Sequence, residues 1–204
     1  SECEMSQPNK DVYRHELLPT HFLERAGDAY ADRIAVVDGE VEYTWRDFRT
    51  RARRFASALQ AQGLEKGDRI AFLALNSEPL LLAHFGVPLA GGTLVSINTR
   101  LTSAEIGYIL EQSGSTKVFY SPELRDQIPD TLSGVPLLNV EDEFEDLLSQ
   151  GGDDALPTSG FHEDETLAIN YTSGTTGRPK GVMYHHRGAY LNALAMVLDQ
   201  GLNA

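Results

Sequence analysis

Residues 171–188 read "YTSGTTGRPKGVMYHHRG", hydroxyl side chains and glycines running into Arg-Pro-Lys-Gly. Such a tract is either a flexible linker or a backbone loop shaped around an anion. Gly174 and Gly177 free the backbone to turn so that successive N–H groups converge, the arrangement that cradles phosphate oxygens. Thr172, Ser173, Thr175 and Thr176 add hydroxyl donors. Lys180 adds a point charge suited to phosphate, and Pro179 stiffens the exit. These residues favour phosphate binding over a plain turn. Spacing excludes two familiar phosphate sites. A Walker loop needs Gly-x4-Gly-Lys-Ser/Thr with a helix starting at the lysine, whereas Gly174 and Gly177 are too close and Lys180 is followed by Gly181. The dinucleotide pattern Gly-x-Gly-x-x-Gly is absent as well.

The flanks of the tract say what must hold it. "LAINY" (167–171) has the composition of a buried strand, and "GVMYHH" continues as a short strand into a helix carrying Tyr190, Leu191, Leu194 and Val197. The tract therefore joins two elements of one core instead of separating domains. Upstream, "RIAVVDGEVEYTW" reads as two strands about an Asp38-Gly39 turn. Thr44 with Asp47 forms a capping-box pattern, and Tyr43 with Phe48 a hydrophobic staple. Apolar residues at helical spacing follow from Trp45 to Leu59, with Gly63 as a stop. "RIAFLAL" (69–75) is a continuous apolar run, as expected of a strand covered on both faces. A helix is expected from about Ser77, ended or kinked by Pro88, then a strand over 93–97. Thr102 with Glu105, and Leu101 against Ile106, repeat the helix-start device, and Gly114 stops that helix. Residues 117–120 and 136–140 are further short strands. Strands alternating with helices predict an α/β fold, a doubly wound and mostly parallel sheet.

Residues 141–165 change in composition, being acidic with Gly, Pro and Ser, and read as a short helix followed by a solvated loop. Nothing there has the spacing of a Ca²⁺ loop, and the chain has no internal repeat. The 204 residues are 41% apolar and 23% charged, an ordinary globular composition. Seventeen Lys and Arg against thirty Asp and Glu give a net charge of −13, which opposes broad binding to nucleic acid or anionic membrane. An anionic ligand then needs a local site. Cys3 is the single cysteine, so neither a disulfide framework nor a structural zinc site can form, and it reads as a bystander in a polar tail over 1–18. No basic-then-apolar leader opens the sequence, and no apolar run approaches the ~20 residues that span a bilayer. The expected location is the cytoplasm. The chain starts with Ser and not Met, which points to trimming.

"YTSGTTGRPKG" matches, at every position, the phosphate-loop signature of the AMP-forming adenylate enzymes, the family of acyl-CoA synthetases, luciferases and peptide-synthetase adenylation domains. "EYTWRDF" (42–48) is similar to that family's first core motif and "GVPLAGGTLVSINTRLTSAEIGYIL" to its second region. The resemblance runs from about Pro19 to Asn203. Within the family, "INTRLTSAEIGYIL" and "AINYTSGTTGRPKGVMYHHRGAYLNAL" look like fatty-acyl-CoA synthetases of the medium- and long-chain group. Peptide-synthetase domains usually carry Asp-Pro-x-Tyr-Pro where this chain has Asn98, Thr99 and Arg100. His185 departs from the pattern, since Thr or Ser is commoner before the family's His, here His186. It reads as a helix-start residue and not a catalytic one.

The resemblance implies a two-step reaction of small molecules: a carboxylic acid and ATP give an acyl-adenylate, and coenzyme A then takes the acyl group. It assigns Thr172, Ser173, Gly174, Thr175, Thr176, Gly177 and Lys180 to the nucleotide's phosphates, with Lys180 and Thr172 the catalytic pair and Thr172 the hydroxyl associated with Mg²⁺. It also implies that 19–204 is part of the large AMP-binding domain, with the small C-terminal domain and the rest of the site lying beyond this chain. The piece alone is then expected to be inactive, and a homodimer is admitted for the full-length parent. Two other readings stand beside this one: an amino-acid adenylation domain, and a short non-catalytic protein that binds nucleotide or a partner.

Overall fold

The computed structural model describes residues 15–132, 134–157, 160–172 and 177–202. Helix α1 (Thr20–Ala29) leads into a hairpin of β1 (Ile34–Asp38) and β2 (Val41–Thr44), then α2 (Trp45–Ala61). Next come β3 (Arg69–Leu73), α3 (Glu78–Leu89), β4 (Thr93–Ser96), α4 (Ser103–Ser113) and β5 (Ser115–Tyr120). A 3₁₀ turn (Pro122–Gln127), β6 (Leu137–Asn139) and α5 (Phe144–Ser149) precede β7 (Thr166–Thr172), β8 (Lys180–His185) and α6 (His186–Gln200). The main sheet has the order β6-β5-β3-β4-β7-β8, parallel throughout except for β8, which runs antiparallel to β7. This is the mostly parallel, doubly wound α/β sheet expected from the alternation of elements.

Both faces of the central strands are buried, and the period of two sorts their side chains between two cores. Ile70, Phe72, Leu94 and Phe119 pack with α2, α3 and α5. Ala71, Leu73, Val95 and Val118 pack on the other side with Ile106, Ile109 and Leu110 of α4. The first core is built on rings: Phe72 and Phe119 stack at 4.7 Å, and Phe55 meets Phe119 edge-on at 5.5 Å and Phe144 at 5.0 Å. Phe144, Leu147 and Leu148 are why the acidic stretch holds a helix at all, since α5 buries those three against α2. Beyond α5 the acidic stretch is pinned by ion pairs, Arg54 to Asp153 and Lys66 to Glu165 at 2.6 Å.

Local signals hold where they were strongest. Thr44 accepts from the Asp47 N–H at 3.1 Å and Asp47 accepts in return from the Thr44 N–H at 3.1 Å. Thr102 and Glu105 do the same at 3.3 and 2.8 Å, and Gly114 ends α4 in the left-handed region at φ +60°. The hairpin loop is Gly39-Glu40, one residue later than the expected Asp38-Gly39. Asp38 is still paired with Val41, and its Oδ2 accepts from the Glu78 N–H at 2.7 Å at the start of α3. Pro88 lies in the last turn of α3 and the helix stops one residue beyond it. Residues 16–18, assigned to the polar tail from composition, are packed here: Leu18 is 1% exposed and the Leu17 N–H donates to Glu163 at 2.9 Å. Among the described residues no helix is long and apolar enough to cross a membrane.

Candidate active site

In open α/β sheets ligands sit outside the carboxyl ends of the parallel strands. The Gly/Ser/Thr tract leaves the sheet at that edge, from the end of β7, and returns as β8. The two strands pair with Thr172 opposite Lys180. Directly opposed residues of an antiparallel pair put their side chains on one face, close together. The hydroxyl and the ammonium at the loop's two ends are therefore brought together by the ladder, and both residues are exposed. Gly177 sits at φ +87° with open space where a Cβ would be, so the left-handed turn, and not crowding, is what requires glycine there. Ser173, Gly174, Thr175 and Thr176 lie outside the described residues.

The next rung is Tyr171 opposite Gly181, facing the other side of the sheet. A Cβ on Gly181 would lie 3.0 Å from Ile169 Cγ2 and 3.2 Å from Tyr171 Cζ, so the glycine makes room for the tyrosine ring. The Tyr171 hydroxyl donates to Gln112 Oε1 of α4. Burial, and then the neighbouring Tyr108, push this phenol above its ordinary pKa, keeping it a donor. Beyond the loop, Arg178 lies over the Tyr108 ring at 5.7 Å and Pro179 is buried. Sequence reasoning missed Tyr108 and Gln112. Their only signal is a spacing of about one helix turn in α4, which says that they share a face but not what meets it.

A cavity of about 470 Å³ opens along the carboxyl edge beside the loop, with Asn76, Asn98, Thr99, Asn170 and Tyr171 in its wall. Its amide and hydroxyl groups offer hydrogen bonds without net charge. The Thr172 hydroxyl is a single hard oxygen donor, which would suit a cation that takes most of its ligands from phosphate and water. Mg²⁺ behaves in that way.

The two histidines after the loop do different work. The His185 Nδ1 accepts from the Gly188 N–H at 2.7 Å and caps α6, the task of a Ser or Thr at a helix start. His186 is 4% exposed and its Nδ1 has no partner among the described residues. Burial holds its imidazole below the ordinary pKa, which favours the neutral form. It lines a cavity at the amino ends of β3, β4 and β7, the opposite edge of the sheet from Thr172 and Lys180. That removes it from the phosphate loop.

A doubly wound sheet of this kind binds ligands at its carboxyl edge, where the Gly/Ser/Thr tract joins β7 to β8, and comparison with known proteins makes the class specific. Residues 23–203 match the model of the AMP-binding enzyme family, and the chain belongs to that family. It is 39% identical to a 4-hydroxybutyrate–CoA ligase of Metallosphaera sedula, over 92% of this chain and 37% of that protein. It is 34% identical to a peroxisomal acetate/butyrate–CoA ligase of Arabidopsis thaliana, over 91% of this chain and 38% of that protein. A solved fatty acyl-CoA synthetase of Mycobacterium tuberculosis superposes with a TM-score of 0.73 at 29% identity, covering 82% of this chain and 34% of the other. The chain thus spans a little over a third of the length of these relatives.

Proposed function

We propose that the full-length protein carrying this chain is an ATP-dependent acid–CoA ligase. The acid's carboxylate attacks the α-phosphorus of ATP, the bond to pyrophosphate breaks, and an acyl-adenylate forms. The thiol of coenzyme A then takes the acyl group and AMP leaves. The observation that carries the reading is the cross-strand pair of Thr172 and Lys180 at the two ends of the loop. Joining two anions makes charge neutralisation and positioning the main demands of the first step. The Lys180 ammonium answers the first on the β- and γ-phosphates, while the loop amides and the Thr172 hydroxyl hold the leaving group in place. Mg²⁺, when bound, supplies further positive charge to the phosphates, with Thr172 as its protein oxygen.

For the acid we put a fatty acid first. The acids of the three relatives named above, 4-hydroxybutyrate, acetate/butyrate and fatty acyl, share an aliphatic carboxylate, while a trans-cinnamate and a benzoate CoA ligase are also among the similar proteins. Asn98, Thr99 and Arg100 stand where amino-acid adenylation domains carry a different stretch. ATP–pyrophosphate exchange with the full-length protein, across acids from acetate to palmitate and the amino acids, tests both levels. Exchange driven by aliphatic acids and followed by CoA-thioester supports the proposal. Exchange driven only by amino acids overturns the substrate class, and none with any acid overturns the activity.

A further inference from the structure

Ordering a glycine-rich segment on binding costs conformational entropy, so anchoring the residues that flank a phosphate loop favours binding. The β7–β8 ladder fixes where this loop starts and ends, but a two-strand edge can twist. A second support is therefore expected, and the structure contains one. On α4, Tyr108 and Gln112 are four residues apart and so lie on one face of the helix. Gln112 receives the Tyr171 hydroxyl, one residue before the loop. Tyr108 receives the Arg178 guanidinium at 5.7 Å, two residues before Lys180. Between them is a cleft of about 650 Å³ bordered by Tyr108, Gln112, Gly177, Arg178 and Pro179.

We infer that Tyr108 and Gln112 are positioning residues for the phosphate loop, with α4 tethering the loop's entry through Tyr171 and its exit through Arg178. The inference rests on the phosphate-loop reading proposed above. It also divides the labour between the two cations: Arg178 is a tether on an aromatic face, and Lys180, opposite Thr172, is the charge offered to phosphate. The support is itself rigid. Helix α4 is capped at its start by the Thr102–Glu105 exchange and at its end by Gly114, and it is bolted to the sheet by Ile106, Ile109 and Leu110.

The test has one reading without substrate and one with it, both on the full-length protein. In hydrogen exchange without ligand, Tyr108→Ala, Arg178→Ala and Gln112→Ala should each speed exchange over residues 177–182 by about 2- to 5-fold, the scale of one exposed cation–π or hydrogen-bond contact. Residues of β3 should be unchanged, and Tyr108→Phe, which keeps the ring, should exchange as the parent does. In kinetics the same Ala variants should raise KM for MgATP by a similar factor with kcat little altered, and Tyr108→Ala with Arg178→Ala should cost no more than either alone. Arg178 is exposed, so its variant folds whether or not Tyr108→Ala does. Unchanged exchange over 177–182, an additive double variant, or Tyr108→Phe as harmful as Tyr108→Ala overturns the inference. The exchange result does not depend on activity, so the tether and the ligase proposal fail separately.

Discussion

Lys180 and Thr172 reach solvent from the end of a strand pair and bury nothing, so their replacement separates chemistry from folding. Lys180→Ala and Thr172→Ala should leave the unfolding temperature of the full-length protein within about a degree of the parent. Each should slow adenylation by roughly 30- to 1000-fold, the 2–4 kcal/mol typical of a charge-assisted contact that strengthens in the transition state. Pyrophosphate exchange beside a thermal melt decides it, and near-normal turnover with unchanged stability would remove these residues from the phosphate site. Gly177→Val should do more harm than either. At φ +87° a β-branched side chain is strained although the surrounding space is open, so the loop must change its turn to admit it. Gly177→Ala should fall between the parent and Val in the same exchange assay. An Ala variant with parental activity would show that the positive φ is not needed.

Among the elements, those with their determinants close in sequence were legible and those defined by distant partners were not. The two capping boxes, the hairpin and the apolar runs of β3 and β4 declare themselves within a few residues. Helix α1 does not. Pro19 precedes it without a side-chain cap, and it is held instead by Leu23 in the core and by ion pairs of Glu24 and Asp28 with Arg53 and Arg49 of α2. Gly27 looks like a helix breaker but is where the Arg49 side chain crosses, at 2.6 Å from a would-be Cβ. The chemistry proposed for the loop rests on residue types alone, whereas the contact with α4 could not be read from them, since Tyr171 and Gln112 are 59 residues apart. Phe22 of α1 stacks on Tyr190 of α6 at 4.3 Å, and the histidines beside this contact carry a prediction of their own. Burial, and for His21 next the nearby His15, lowers the pKa of His21 and His186 from 6.5. Glu24 beside His21 and Glu165 beside His186 oppose the shift, while His185 adds to it at His186, and the net direction stays downward. A group with a depressed folded-state pKa stabilises the fold above its unfolded value and loses that contribution as pH falls through the folded value. Stability should therefore decline below about pH 6.5, before the carboxylates titrate, and His186→Gln should flatten that part of the profile in thermal melts. A profile that is already flat in the parent contradicts the assignment.

For the whole molecule, the described surface is uneven. Every residue of β8 is exposed, Met183 to 71%, and α6 leaves Leu191, Leu194, Val197 and Leu198 open, Leu198 to 83%. An unpaired strand edge beside an apolar helix surface favours association. Residues 1–204 produced alone should self-associate and bind a hydrophobic dye despite their charge of −13, and should form no CoA-thioester. Light scattering and a thioester assay on one sample check both, and a monodisperse monomer with thioester-forming activity contradicts both. The clasp around Glu163 has a consequence of a different kind. This residue accepts from the Leu17 N–H at 2.9 Å, gives its own N–H to Glu16 at 2.8 Å, and takes Arg187 at 2.5 Å. The partners at the front of the chain are separated from it by 146 and 147 positions. During synthesis residues 16 and 17 thus lack these partners until Glu163, which follows six of the eight strands described here, has left the ribosome. A nascent chain stalled before Glu163 should be cut by protease near residues 15–18, and one released after Arg187 should resist at that point.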